Sequence, residues 1–193
     1  HIQTGNLDDD LSLLAECDLV IEAVIEDLEI KQDLYRRVDT ARKPGSIVTS
    51  NTSTIPLAKL VSGLPEGFAR DFAITHFFNP PRYLRLLEVV AGTHTRADAI
   101  TSLQVFGDRT LGKSVVQCKD TPGFIANRIG ILWTTSAIRF AFEDQLSVEE
   151  ADAIVGRPMG IPKTGVFGLM DLVGIDLQPH VSASMLSSLP EQD

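Results

Sequence analysis

Short apolar runs alternate with segments of helical periodicity over the first 118 residues, and this alternation restricts the fold more than any other feature. The run at residues 18–24 (DLVIEAV) is compact and apolar, as a buried parallel strand would be. Residues 26–41 follow with apolar side chains at helical spacing, and Pro44-Gly45 ends that helix. Further strands are predicted at residues 46–50, 72–77, 84–90 and 114–118, and further helices at 56–61 and 96–111. This order predicts an α/β sheet domain.

After Cys118 the pattern changes to helical spacing alone. Residues 123–142 form a long apolar-rich helical stretch, and Ser147-Val148-Glu149-Glu150 has the form of a capping box that opens another helix through Ile154. Residues 167–173 and the segment from Asp176 onward are also predicted to be helical. We therefore expect a sheet domain over residues 1–119 and an all-helical domain over residues 120–193.

Composition disfavours several classes of partner. The 193 residues carry a net charge of −9, so a general attraction for nucleic acid or for an anionic membrane is not expected. No apolar stretch of the sequence is long enough to span a membrane. Cys17 and Cys118 have no metal-ligand spacing and predict buried free thiols, hence a reducing compartment, taken as cytoplasmic, and no metal site.

His76 and Glu88 are the first candidates for chemistry. His76 ends one predicted strand and Glu88 sits inside the next, so the two side chains meet if those strands pair. A carboxylate that orients an imidazole and stabilises its cation suits a general base for an alcohol. A buried histidine that is merely satisfied by a neighbouring acid is the open alternative.

Other polar residues have ordinary structural interpretations by pattern alone. Ser53 follows a strand, where hydroxyls commonly close turns but where open α/β sheets also bind ligands. Asn127 stands on a predicted helix whose apolar neighbours suggest that the helix is largely buried. By pattern, Glu26 is an acidic residue at the start of a helix, Lys31 is a solvated residue and Asn79 is a turn residue before proline.

Four motifs stand out along the chain: SNTS at 50–53, THFFNPP at 75–81, LLEVV at 86–90 and KDTPGFIANR at 119–128. Together they resemble the 3-hydroxyacyl-CoA dehydrogenase family, over about residues 18–176. The resemblance implies a partial Rossmann-like NAD-binding domain followed by an all-α C-terminal domain. It also implies NAD as cofactor, an acyl-CoA substrate and a homodimer formed through the helical domain.

The resemblance also implies a role for each candidate residue. His76 would be the catalytic base and Glu88 its partner, in a reaction that interconverts 3-hydroxyacyl-CoA and 3-ketoacyl-CoA. Ser53 would hydrogen-bond the substrate oxygen near the nicotinamide, and Asn127 would polarise the substrate carbonyl. The residues implied to bind the cofactor are Glu26, Lys31, Ser53 and Asn79.

One expected motif does not occur in the sequence. A dinucleotide-binding fold normally opens with a Gly-x-Gly-x-x-Gly turn, which we expect to lie upstream of His1. An alternative is therefore an inactive fragment, or a module that binds acyl-CoA or a partner but cannot hold NAD. A hydrolase using Ser53, His76 and Glu88 as a triad is a further alternative, although no Gly-x-Ser-x-Gly elbow surrounds Ser53.

Overall fold

The computed structural model describes residues 2–160, 164–176 and 183. The chain divides into two compact units, His1–Phe124 and Ile125–Asp193. The first unit is built on a mixed sheet and the second, over its described residues, on helices. No helix in the described ranges is long and apolar enough to cross a membrane.

The sheet of the first unit has five strands in the spatial order of the sequence. The first three run parallel, the third pairs antiparallel with the fourth, and the fourth runs parallel to the fifth. The carboxyl ends of the first three strands therefore meet at one edge, where open α/β sheets place their ligands. The strands are β1 (Leu19–Glu22), β2 (Ile47–Ser50), β3 (Phe72–Phe77), β4 (Leu86–Ala91) and β5 (Ser114–Cys118).

Side-chain caps fix where two of the helices of this unit begin. The Asp27 carboxylate accepts a hydrogen bond from the backbone N–H of Ile30, so the first helix starts one residue after Asp27. The Asp120 carboxylate accepts from the N–H groups of Leu57 and Ala58 and caps the second helix. The helices are α1 (Leu28–Ala41), α2 (Leu57–Leu60), α3 (Glu66–Asp71) and α4 (Ala97–Val105), with a 3-10 turn at Leu11–Glu16 and a π turn at Phe106–Thr110.

Two apolar clusters cover opposite faces of the sheet. Alternate residues of β3 enter different clusters, since successive side chains of a strand point to opposite faces. Phe72 and Ile74 belong to the larger cluster, where the Phe72 ring lies 5.1 Å from that of Tyr35 and 5.3 Å from that of Phe68. By the same alternation, His76 points to the face of this larger cluster.

The second unit contains three helices in its described residues, α5 (Ala126–Glu143), α6 (Val148–Ile154) and α7 (Gly165–Val173). The predicted capping box is present, because Ser147 accepts from the Glu150 N–H and Glu150 accepts from the Ser147 N–H. The Asp152 carboxylate of α6 accepts from the backbone N–H groups of Phe167 and Gly168 at 2.7 and 2.9 Å, which ties α6 to α7.

The predicted α/β class, with a helical part after it, is confirmed. The sequence pattern missed α3, because six residues are too few to show a helical period. It also treated residues 96–111 as one helix, whereas α4 ends at Val105 and the chain continues as the π turn. The helix predicted from Asp176 onward falls almost wholly outside the described residues, and Cys17 is only half-buried, not buried as expected.

We expect Phe72→Ala to lower the free energy of unfolding by about 3–5 kcal/mol, because it leaves a cavity between two other aromatic rings. The matched control is Tyr83→Ala, whose side chain is 75% exposed and whose loss should stay within about 0.5 kcal/mol. Urea denaturation of both variants measures the difference. Equal losses would show that the aromatic cluster does not stabilise the sheet.

Candidate active site

His76 and Glu88 form a buried hydrogen-bonded pair across two strands. The antiparallel register of β3 and β4 places the two residues directly opposite each other, so their side chains share one face. His76 Nδ1 lies 2.8 Å from Glu88 Oε2, and both residues are at most 4% exposed. A carboxylate accepts here, so in the neutral imidazole the ring proton sits on Nδ1 and the lone pair on Nε2.

Ser53 extends this pair into a row of three. Its Oγ lies 3.1 Å from His76 Nε2, in the loop that follows β2. When the imidazole is neutral, Nε2 carries the lone pair and the hydroxyl is the donor. The structure thus brings together three of the four predicted catalytic residues, Ser53, His76 and Glu88, and gives the imidazole one oriented proton and one accepting nitrogen.

Two aromatic rings enclose the imidazole. The Phe78 ring centroid lies 4.4 Å from that of His76, and the Phe124 centroid lies 5.6 Å away. Phe124 is buried and has a φ of 48°, a left-handed conformation that is rare for an aromatic residue. No role for either ring was predicted from the sequence. The signal lay in the motifs themselves, since Phe78 directly precedes Asn79 and Phe124 directly follows Gly123.

The Glu26 carboxylate accepts several hydrogen bonds from the loop that carries Ser53. Its Oε1 accepts from the N–H groups of Ser53 and Thr54 at 3.0 and 3.1 Å and from the hydroxyls of Thr52 and Thr54. Burial raises the pKa of this carboxyl, but the hydrogen bonds from Thr52, Thr54 and Ser53, together with the Lys31 charge, outweigh it. The net pKa is below the ordinary value.

Lys31 is buried, contrary to its interpretation by pattern as a solvated residue. It is 1% exposed, and its ammonium nitrogen lies 2.7 Å from Glu22 Oε1, 3.3 Å from the Val24 carbonyl and 3.4 Å from Glu26 Oε2. An ammonium has three donors, and all three face protein oxygens. Glu22 received no role from the sequence, although an acid inside an apolar strand run was a signal.

The remaining two candidates are Asn79 and Asn127. Asn79 is exposed, two residues beyond β3, and precedes Pro80 through a cis peptide bond. Asn127 is half-buried in the first turn of α5, in the second unit, and lines a cavity of about 220 Å³ between α5 and α7. The expectation that this helix is largely buried is wrong for the described residues, because Ile129 and Leu132 are 63% and 69% exposed.

The row of Ser53, His76 and Glu88 also has the form of a hydrolytic triad, but its surroundings do not suit one. Acyl transfer needs N–H donors aimed at a developing oxyanion, usually from the nucleophile and the residue after it. Here the N–H groups of Ser53 and Thr54 both donate to Glu26 Oε1. A carboxylate at that position repels an oxyanion, so the geometry suits proton transfer with an alcohol better.

Comparison with known proteins agrees with these motifs. Residues 1–121 match the family described as 3-hydroxyacyl-CoA dehydrogenase, NAD binding domain, and residues 123–193 match its C-terminal domain. The chain is 44% identical over 192 residues to a Rickettsia prowazekii protein that carries the name of a fatty acid oxidation complex trifunctional enzyme. The alignment covers all of this chain and 27% of that protein.

Solved structures give the same result. FadB2 of M. tuberculosis is 34% identical, with a TM-score of 0.84 over 92% of this chain and 62% of its own. The 3-hydroxybutyryl-CoA dehydrogenase of Escherichia coli is also 34% identical, with a TM-score of 0.80 over 93% of this chain and 37% of its own. The chain belongs to the 3-hydroxyacyl-CoA dehydrogenase family, as its motifs predicted, and spans less than two thirds of these relatives.

The lowered pKa of Glu26 predicts a pH dependence of stability. A carboxyl whose pKa is lower in the folded state stabilises the fold above its unfolded pKa, near 4.5, and loses that contribution as pH falls through the folded value. The free energy of unfolding of the wild type should therefore fall more steeply below about pH 4.5 than that of Glu26→Gln. Urea denaturation at a series of pH values tests this, and parallel profiles would contradict it.

Proposed function

We propose that this chain is part of an NAD-dependent oxidoreductase that interconverts 3-hydroxyacyl-CoA and 3-ketoacyl-CoA, in fatty-acid β-oxidation or related acyl-CoA metabolism. The observation that carries the proposal is the row of Ser53, His76 and Glu88, in which His76 Nε2 faces a hydroxyl oxygen at 3.1 Å and Nδ1 faces a carboxylate at 2.8 Å. Membership of the family and likeness to the E. coli 3-hydroxybutyryl-CoA dehydrogenase support it.

In the proposed reaction, His76 Nε2 takes the hydroxyl proton while hydride leaves the 3-carbon of the acyl-CoA. Glu88, 2.8 Å from Nδ1, stabilises the imidazolium that forms. Ser53 Oγ lies beside Nε2, where it holds the reacting oxygen. Asn127 is assigned by its motif alone, as a donor of its amide N–H to the substrate oxygen. NAD, when bound, supplies the hydride acceptor, and the reverse reaction uses the same groups.

The residues in the cofactor group fit the sugar and nicotinamide portions of NAD. Glu26 lies beyond the carboxyl end of β1 and its side chain is 38% exposed, so a carboxylate is available to a ribose hydroxyl. Asn79 presents an exposed amide just beyond β3. Lys31, whose donors face protein oxygens, takes part by holding Glu26 at 3.4 Å. Ser53 belongs to both groups of residues, since it would lie near the nicotinamide and hydrogen-bond the substrate oxygen.

The specific alternative is a module that binds acyl-CoA or a partner but cannot hold NAD. NADH oxidation with acetoacetyl-CoA, measured on the 193-residue chain and on a polypeptide extended upstream, separates the two. Turnover by the extended polypeptide supports the dehydrogenase. A folded extended polypeptide that binds acyl-CoA without turnover supports the module.

His76→Gln in the active polypeptide should lower turnover by about two to four orders of magnitude, because the variant loses the proton acceptor. Its matched control is His94→Gln, at an exposed histidine in the turn after β4, which should stay within about twofold of wild type. Steady-state NADH oxidation measures both. Near-normal turnover in His76→Gln would remove this residue from the mechanism.

We also infer a homodimer formed through the helical unit, in the cytoplasm. Exposed apolar side chains on two helices support the dimer, namely Leu132 of α5 and Leu172 of α7, at 69% and 75% exposure. Light scattering on the intact protein should give twice the monomer mass, which Leu132→Glu should reduce. A monomeric wild type would contradict the dimer.

The cytoplasmic location rests on the free thiols of Cys17 and Cys118, which support a reducing compartment.

A further inference from the structure

Glu22 is a buried carboxylate that the proposed chemistry does not use. It is the last residue of β1, 5% exposed, and each of its oxygens accepts two hydrogen bonds. Oε1 accepts from the Lys31 ammonium at 2.7 Å and the Val24 N–H at 2.6 Å. Oε2 accepts from the hydroxyls of Tyr35 at 2.6 Å and Ser50 at 2.7 Å. Four donors, two on α1, one on β2 and one in the loop after β1, thus converge on one carboxylate.

Oε1 holds the loop between β1 and α1. Val24 is the second residue of that loop, its N–H donates to Glu22, and its carbonyl accepts from the Lys31 ammonium at 3.3 Å. The same ammonium pairs with Glu26 Oε2 at 3.4 Å. The position of Glu26 therefore depends on Lys31, and the position of the Lys31 ammonium depends on Glu22.

Oε2 holds the loop after β2. Ser50 Oγ donates to Glu22 and accepts from the backbone N–H of Thr52 at 3.2 Å. Ser53 follows directly, and its Oγ reaches His76 Nε2. Burial and the hydrogen bond to Glu22 raise the pKa of Tyr35 far above the ordinary phenol value, so its hydroxyl stays a donor.

We propose that Glu22 is a positioning residue, whose carboxylate holds both the loop that carries Glu26 and the loop that carries Ser53. It thereby supports the direct hydrogen bond from the Ser53 N–H to Glu26. The inference rests on the function proposed above. Both loops are hydrogen-bonded through the Glu22 side chain. A change at Glu22 therefore alters the position of the Ser53 hydroxyl relative to His76, although Glu22 itself contacts neither substrate nor cofactor. A misplacement of about 1 Å is enough to slow a positioned reaction about a hundredfold.

Glu22→Gln tests this with almost no change in volume. An amide has one oxygen, so its NH₂ group must face one of the two pairs of donors that now face carboxylate oxygens. The buried Lys31 also loses its nearest counter-charge and keeps Glu26 as its acidic partner within 4 Å among the described residues. We expect both effects to change the distance between the loop after β1 and the loop after β2.

The matched control is Asp71→Asn, at the opposite end of the sheet. Asp71 is 9% exposed, directly precedes β3 and accepts from Arg42 at 2.8 Å and Arg96 at 2.7 Å. It is therefore a second buried carboxylate with cationic partners, remote from His76 along β3. Both variants should lower the melting temperature, so a difference between them at the site cannot come from general destabilisation.

Two readouts are measured on the extended polypeptide. The first is the ¹⁵N chemical shift of His76 Nε2 without any ligand, which reports the hydrogen bond from Ser53. We expect it to move in Glu22→Gln and to stay at the wild-type value in Asp71→Asn. The second is steady-state kinetics, where Glu22→Gln should lower kcat by about tenfold or more and raise KM for NAD, while Asp71→Asn stays within about twofold.

Ser50→Ala provides a milder variant if Glu22→Gln does not fold, since it removes the hydroxyl that links Glu22 to the Thr52 N–H and leaves the Glu22 carboxylate in place. It should move the His76 Nε2 signal in the same direction. Unchanged His76 signals in the folded variants would overturn the positioning role. A moved signal in a polypeptide whose wild type shows no turnover would retain the positioning role and refute the dehydrogenase instead.

Discussion

The antiparallel pairing of β3 with β4 is the constraint on which the rest of the site depends. It sets His76 opposite Glu88 on one face of the sheet. A slip of one residue would move Glu88 to the other face and leave the imidazole without its partner. With the register as it is, the carboxylate holds a proton on Nδ1, and in the neutral imidazole Nε2 is an acceptor that faces Ser53.

Three carboxylates near Ser53 and His76 have different roles, because different donors surround them. Glu88 accepts from an imidazole, which gives the pair its capacity to move a proton. Glu26 accepts from the loop around Ser53 and so consumes the N–H groups that acyl transfer would need. Glu22 accepts from four donors and joins two loops. A residue type alone therefore does not define a role, since its neighbours set it.

Much of the fold was predictable from local patterns, and the failures have physical reasons. The strands at residues 72–77 and 114–118 and the capping box at Ser147 occur as predicted, because alternation, apolar runs and caps are local signals. Helix α3 was too short to show a period. Lys31 was mistaken for a solvated residue, because its burial depends on Glu22, nine positions away and on another element.

The sequence by itself determined the order of strands and helices, the family and the candidate residues, because these lie in short contiguous motifs. Only the tertiary structure decided how those residues meet. Ser53 and His76 are 23 positions apart, and no local pattern encodes their 3.1 Å contact. Long-range pairing of strands places them together, and the loops tied by Glu22 and Glu26 hold them there. The roles of all the candidate site residues stay predictions, carried by the motifs.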